Sequence, residues 1–516
     1  MQSKAPRALP RLLLQSVLAA LAGALHVLCF APFGWWPLQI LLLLLLFAAV
    51  LRAPSSRHAA CLGWAFGFGW YVVGVSWLFI SLHRYGGMQT WLAMLAVALL
   101  ALLLGAFTAL AMGTADWLRR RSAMSNASMA LLLLPAAWTL GDWLRGWVFT
   151  GFPWIVTGYA QVDSPLAGFA PLVGVYGIGW VVAVLAGSLL MLKRFRLLIA
   201  LPILLLLGGQ ALREMSWTRN AGAPISVRLL QGNVAQDLKF DAAHLNSTLA
   251  YYDATLRSAA ADLIVTPETA IPMLSTYLPP DYLPRLAEFS RQSSSTLALG
   301  IPLSDGPAQY ANSVLALRPD GQFYRYDKHH LVPFGEFIPW GFRWFVDLLQ
   351  IPLGDFTRGA LLQTALQVKD QRIQPNICYE DLFGEQIAAT VRGEASRSPT
   401  ILLNLSNIAW FGDSIALPQH LQISRMRALE TGRPMLRSTN TGTTAVIDAH
   451  GVVTAQLPPF TRGVLSATVQ GTQGLTPYSR FGNSLLITLL LLLCLWPLVG
   501  TSLRLFFLRR DQQHKR

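Results

Sequence analysis

Seven apolar stretches crowd into the first 212 residues of this 516-residue chain, at about 12–30, 35–51, 59–82, 89–115, 129–149, 165–192 and 197–212. One more follows at 484–507, after roughly 270 residues of soluble composition. Most are close to the ~20 residues that carry a helix across a bilayer. The arrangement leads to an α-helical membrane bundle of about eight spans with one soluble domain inserted before the last. A mean hydropathy of +0.44, with 53% hydrophobic and only 13% charged residues, agrees with several spans.

The net charge of +14 raises the question of nucleic acid until the basic residues are mapped. With the N-terminus inside, the inner segments carry Lys4, Arg7, Arg11, Arg52, Arg57, Arg119, Arg120, Arg121, Lys193, Arg194, Arg196, Arg504, Arg509, Arg510, Lys515 and Arg516. The short outer loops carry Arg84 and Arg145 alone. Sixteen against two is a strong positive-inside signal and removes most of the case for nucleic acid. Both termini then lie in the cytoplasm, and residues 213–483 lie outside it. The basic start and the apolar run from Leu12 imitate a signal peptide, but the run is long and FGWWP opens the next span almost at once. An uncleaved first helix is expected. Near the end of the fifth stretch, Asp142 and Arg145 stand three residues apart. They read as a neutralised interfacial pair rather than a proton relay.

The domain boundaries expected are 1–212 for seven spans, 213–483 for the soluble domain and 484–516 for the last span and tail. The soluble domain reads as α/β. ISVRLLQGN, ADLIVTPE, STLALGIPL, NSVLALRP, IQPNICYE and TILLNLSN are short β-runs, and YYDATLRSAA, LPRLAEFSRQ and PQHLQISRMRALETG have helical patterning. DGQFY and DAHG look like hairpin turns. Strands alternating with helices imply a buried sheet covered by helices, with reactive groups at strand ends.

Cys29, Cys61 and Cys494 fall inside expected spans, which leaves Cys378 as the one cysteine of the soluble domain. Thiols in an oxidising compartment tend to be paired, so Cys378 is either buried and inert or kept for chemistry. Its setting is odd for a nucleophile. QPNICYEDLFG places Glu380 and Asp381 just beyond it, whereas a reactive thiolate favours positive neighbours. Two further motifs bear on the choice. VTPETA puts Glu268 after the apolar run LIV, and YRYDKHHLVPFGEFIP carries Lys328 with Glu336 eight residues on. Taken alone, the first is a solvated loop residue and the second a basic patch before a proline-rich loop.

Together they resemble something specific. The order Glu268, Lys328, Cys378, each ending a β-run and 60 then 50 residues apart, resembles the nitrilase superfamily of carbon–nitrogen hydrolases. That likeness implies an α/β/β/α sandwich and a Glu-Lys-Cys triad. With the spans around it, the chain is similar to the apolipoprotein N-acyltransferase family of bacterial inner-membrane enzymes. GVSWLFISLHRYGGM, TGFPWIVTGYAQVDSPLAG, LLQGN, VTPETA, KHHLVPFGEFIP, ICYED, LSNIAWFGDS and PQHLQISRMRALETGRPMLRSTNTGTTAVID carry the resemblance. Two positions depart from it: Phe240 stands where the family often has tryptophan, and Ile408 where it usually has aspartate.

The resemblance implies a two-step reaction. Cys378 attacks the sn-1 ester of a phospholipid, phosphatidylethanolamine being the expected donor, and forms a thioester. The α-amine of a diacylglyceryl-apolipoprotein then takes the acyl chain. Glu268 is the expected general base and Lys328 the expected oxyanion stabiliser. Glu336 would orient Lys328 and the base, Tyr379 and Glu380 would shape the nucleophile's surroundings, and Phe240, Trp410, Trp340 and Phe342 would touch substrate. Loops at 340–360, with Trp340, Phe342, Trp344, Phe345 and Leu349, are expected to dip into the bilayer interface as a lid, core packing being the alternative. No cofactor is expected and no metal, since His329 and His330 are adjacent and no HExxH occurs. The partners expected are the two lipid substrates and the bilayer, without nucleic acid, and the chain is expected to act as a monomer in the inner membrane with its catalytic domain in the periplasm. The rival readings are a membrane-tethered amidase that uses water as second nucleophile, and a transporter with an outer binding domain. The acidic neighbours of Cys378 further imply a thiol that rests protonated.

Overall fold

In the computed structural model, residues 8–239, 241–306, 309–339, 341, 343, 356–393 and 397–498 are described. Phe240, Trp340, Phe342, Trp344, Phe345 and Leu349 lie outside them, so the lid and three of the four substrate-contact expectations are not addressed. The chain divides into two compact units. One comprises Met1–Phe79, Thr90–Met215 and Phe481–Arg516, the other Ile80–Gln89 and Ser216–Arg480.

The first unit is helical. Among the described residues, five helices are long and apolar enough to cross a membrane: Arg11–Cys29, Thr90–Ser122, Asn126–Arg145, Pro165–Leu190 and Arg196–Arg213. A bent pair, Ser56–Gly74 with Leu78–Tyr85, makes a sixth if it is one span, and Trp36–Leu51 and Ser484–Leu498 are shorter apolar helices. Every apolar stretch read from the sequence thus carries a helix, though not every helix has full spanning length. Lipid offers little hydrophobic force between helices, so close packing must hold them. Gly69 shows how close: a Cβ there would sit 1.9 Å from the Ala20 carbonyl oxygen.

Asp142 and Arg145 do pair, with Arg145 Nη2 2.6 Å from Asp142 Oδ1, but they are buried inside the helical unit rather than lying at its surface. Asp142 Oδ2 accepts from the Thr157 N–H at 2.9 Å and from its hydroxyl at 2.8 Å. Arg145 Nη1 donates to the carbonyl of Trp154 at 2.9 Å. The pair therefore supplies partners to the largely non-helical backbone between residues 151 and 157, which would otherwise leave buried polar groups unsatisfied.

The second unit is a layered α/β/β/α sandwich. Its strands are β1 (Arg219–Asn220), β2 (Ile225–Gln231), β3 (Leu263–Val265), β4 (Thr296–Gly306), β5 (Gln309–Leu317), β6 (Phe323–Asp327), β7 (Leu366–Val368), β8 (Gln371–Ile377), β9 (Ile401–Ser406), β10 (Met435–Thr439), β11 (Ala445–Ile447), β12 (Val453–Gln456), β13 (Gly463–Val469) and β14 (Thr472–Gln473). Two six-stranded sheets run in the orders β13-β2-β3-β4-β5-β6 and β12-β11-β10-β9-β8-β7, and β1 pairs with β14. Alternation along each strand builds three layers of contact. Val227, Val265 and Ala298 of one sheet meet Ile373, Leu403 and Leu436 of the other in a shared core. Leu230, Ile264 and Leu297 face outward to a second cluster with Leu249 and Leu286, from the helices Ala242–Leu256 and Tyr282–Ser293. Leu402 and Met435 do the same toward Ile387 and Ala428 of the helices Gly384–Val391 and Ala416–Thr431. Both sheets are thus covered on both faces, which is why their central strands read as continuous apolar runs.

Candidate active site

Three strand ends converge on one site, in which Glu268 and Lys328 are buried and Cys378 is half-buried. Glu268 follows β3 by three residues, Lys328 follows β6 directly and Cys378 follows β8 directly. The first two belong to one sheet and the third to the other. Lys328 is held in line by its own N–H, which donates to the Asn312 carbonyl at 2.8 Å and prolongs the β5–β6 pairing by one step.

Lys328 Nζ lies 2.8 Å from Glu336 Oε1 and 3.3 Å from Glu268 Oε1. The amide of Asn312 ties the carboxylates together, donating to Glu268 Oε1 at 2.7 Å and to Glu336 Oε1 at 2.9 Å. The second oxygen of each is also satisfied. Glu268 Oε2 accepts the Asn407 N–H at 2.7 Å, and Glu336 Oε2 accepts the Val332 N–H at 2.9 Å. All four residues are at least nine-tenths buried, and so compact an array of partners fixes both carboxylates in place.

Cys378 breaks out of β8 with φ +50°, in the left-handed region, and opens a tight turn through Leu382. A non-glycine residue pays about 1–2 kcal/mol for that conformation. The turn is what lifts the thiol off the strand. Its carbonyl accepts from Asn404 Nδ2 at 3.2 Å. Glu380, two residues on, spans both strand ends. Its Oε2 accepts from the Ile377 N–H at 2.6 Å and the Tyr326 hydroxyl at 2.9 Å, while Oε1 accepts from the His329 N–H at 2.7 Å and the His330 N–H at 3.1 Å. Glu380 thereby couples the turn at Cys378 to the segment after Lys328. Tyr379 packs edge-on against Phe383 at 5.3 Å.

Charge follows from this geometry. Burial pushes the Cys378 thiol well above its ordinary value, nearby Glu268 raises it further, and Lys328 opposes both. Burial would also raise Glu268, but Lys328, a second lysine and the hydrogen bonds from Asn312 and Asn407 outweigh it and hold the carboxyl below its usual range. Burial works against the Lys328 ammonium, and Glu336 and Glu268 more than reverse it, so the lysine stays charged. A raised thiol, a lowered carboxyl and a charged ammonium thus lie within electrostatic reach of one another.

The helical region and the sandwich can now be set beside known proteins. Residues 22–188 match the apolipoprotein N-acyltransferase N-terminal domain, and residues 226–478 match carbon-nitrogen hydrolase. The chain is 51% identical over 484 residues to an apolipoprotein N-acyltransferase of Ralstonia nicotianae, covering 92% of this chain and 91% of that one. It is 44% identical over 482 residues to another from Chromobacterium violaceum, covering 92% and 91%. The chain belongs to the apolipoprotein N-acyltransferase family.

In this family member, some residues around Glu268, Lys328 and Cys378 carry no distinguishing motif in the sequence. Asn312 sits within the run quoted as NSVLALRP, where an asparagine on a fully covered strand is itself a signal of a buried polar partner. Lys239 is a second buried lysine, and its Nζ donates to the Glu268 carbonyl at 3.1 Å. It shares a recess with Val234, Thr248, Tyr252, Glu268, Ala270 and Asn440, and burial lowers its pKa to about 8 against the pull of Glu268 and Cys378. Trp410 lies on the turn Ile408–Phe411, exposed, with its ring edge-on to Tyr85 at 5.8 Å. Ile408, one of the two departures, is buried so closely on Gly442 that a Cβ on that glycine would come within 2.5 Å of its Cδ1.

Proposed function

We propose that this chain transfers the sn-1 acyl chain of a phospholipid, phosphatidylethanolamine by expectation, to the α-amine of a diacylglyceryl-cysteine at an apolipoprotein N-terminus, through a thioester on Cys378. The observation that carries this reading is the convergence of Glu268, Lys328 and Cys378 from three strand ends, with a carboxylate held ionised beside a thiol held neutral.

The pKa directions favour one order of events. A thiol raised and a carboxyl lowered cannot form a stable thiolate–acid pair at rest, so the proton moves to Glu268 as sulfur attacks the ester carbonyl. The S–C bond forms, and negative charge gathers on the carbonyl oxygen, where Lys328 and a backbone N–H after Cys378 would stabilise it. The C–O bond then breaks, and the lysophospholipid oxygen takes the proton back from Glu268. In the second half, the acceptor amine attacks the thioester and gives a proton to Glu268. The C–S bond breaks, and that proton returns to sulfur. No water enters, and each half-step leaves Glu268 as it began.

Lipid substrates account for the join to a helical unit. Drawing a sixteen-carbon chain into water would cost on the order of 12 kcal/mol at about 0.8 kcal/mol per CH₂, which a site facing the bilayer avoids. The charge asymmetry of the loops supports an inner-membrane enzyme with its catalytic unit in the periplasm. The rival amidase reading is separated by one assay. Purified protein with phospholipid and a diacylglyceryl peptide should yield N-acyl peptide and lysophospholipid in equal amounts; release of free fatty acid with unmodified peptide would overturn the transferase reading.

A further inference from the structure

A second buried network adjoins the backbone of Cys378. His420, on the helix Ala416–Thr431, sets Nε2 3.3 Å from the Cys378 carbonyl oxygen and 3.0 Å from Asp381 Oδ1. Arg437, from β10, sets Nη2 3.0 Å from His420 Nδ1 and Nη1 3.3 Å from Asp381 Oδ2. The Ser424 hydroxyl bonds to both Asp381 Oδ2 and Arg437 Nη1. Asp381, His420, Ser424 and Arg437 are all fully buried.

The donors and acceptors assign the hydrogen on the imidazole. A guanidinium has no acceptor, so the ring nitrogen facing Arg437 must accept, and Nδ1 carries no hydrogen. The ring N–H is then on Nε2, aimed at Asp381 and at the carbonyl of Cys378. His420 has spent its one lone pair on Arg437 and has none left for the thiol.

We infer that Asp381, His420 and Arg437 form a clamp on the Cys378 carbonyl, and that His420 is a positioning residue for the nucleophile. The left-handed turn at Cys378 needs its carbonyl held, and the Asn404 amide and this ring N–H both reach it. The clamp also accounts for Asp381. Its carboxylate anchors the ring, and His420 and Arg437 outweigh its burial to hold it below the usual range.

The inference rests on Cys378 as the nucleophile, and the test separates the two. His420→Gln keeps an amide N–H and an oxygen at nearly the imidazole spacing; His420→Leu fills the volume with neither. The full-length protein in detergent, with phospholipid and diacylglyceryl peptide, should lose about 10²-fold in kcat in His420→Leu with KM within threefold. His420→Gln should recover at least tenfold of that, with the melting temperature and acid limb of the wild type. Should the leucine variant fail to fold, the glutamine variant decides alone, by a kcat within tenfold of wild type. A leucine variant that folds and retains kcat, a folded glutamine variant no better than it, or an acid limb that vanishes in His420→Gln would each overturn the clamp. Full activity in Cys378→Ala would instead withdraw the nucleophile reading itself.

Discussion

Glu268→Gln lowers kcat for N-acylation by about 10³-fold while the protein still folds. The substitution is nearly isosteric, and the amide oxygen can still accept from Asn312 or from the Asn407 N–H. Lys328 keeps Glu336 as a partner at 2.8 Å, so no buried charge is stranded. What disappears is the carboxylate proposed as the base in both half-reactions. The thiol is held neutral by burial, so without a base the first attack fails and no acyl-enzyme builds up. Turnover of the purified variant, read beside its melting temperature, checks this; a loss of less than tenfold would remove Glu268 from the role of base.

Lys328→Met gives the second large effect, and its signature is in the pH dependence. Loss of an oxyanion-stabilising cation costs about 10²–10³-fold in kcat. The same change removes the foremost influence holding the Glu268 carboxyl below its ordinary value, and leaves burial to push it up. Because the base works only when ionised, the acid limb of the rate profile moves to higher pH. The deficit is therefore larger at pH 5 than at pH 8. The variant is also less stable, by about 3–5 kcal/mol, because two buried carboxylates lose their shared cation. An acid limb at the wild-type position would show that Lys328 does not set the state of Glu268.

A buried sheet covered by helices was readable in sequence because strands covered on both faces leave long apolar runs, as in ADLIVTPE and TILLNLSN, whereas the two-sheet sandwich followed only from the family resemblance. Strand β10 escaped notice for the opposite reason. Its Arg437, Ser438 and Thr439 are polar yet fully buried, satisfied by partners as distant in sequence as Leu230 and Asp381. Spacing alone likewise could not show that Asn312 joins two carboxylates 68 residues apart, or that Lys239 reaches the backbone of Glu268. Such pairings exist only once the sheets are assembled.

The acidic neighbours of Cys378 illustrate the limit of adjacency most clearly. In sequence, Glu380 and Asp381 look like the reason for a protonated thiol. In the fold, burial and Glu268 dominate, and the two neighbours are committed elsewhere. Glu380 takes up the N–H groups of Ile377, His329 and His330, and Asp381 anchors His420. A turn with φ +50° at Cys378 sends consecutive side chains into separate networks, a separation that no linear motif encodes.

Peptide mass spectrometry after exposure to phospholipid tests most directly whether Cys378 carries the acyl group between the two lipids. An acyl adduct is expected on the peptide containing Cys378, discharged when diacylglyceryl peptide is added and absent in Cys378→Ala. Full N-acylation by Cys378→Ala, or an adduct confined to another residue, would contradict it.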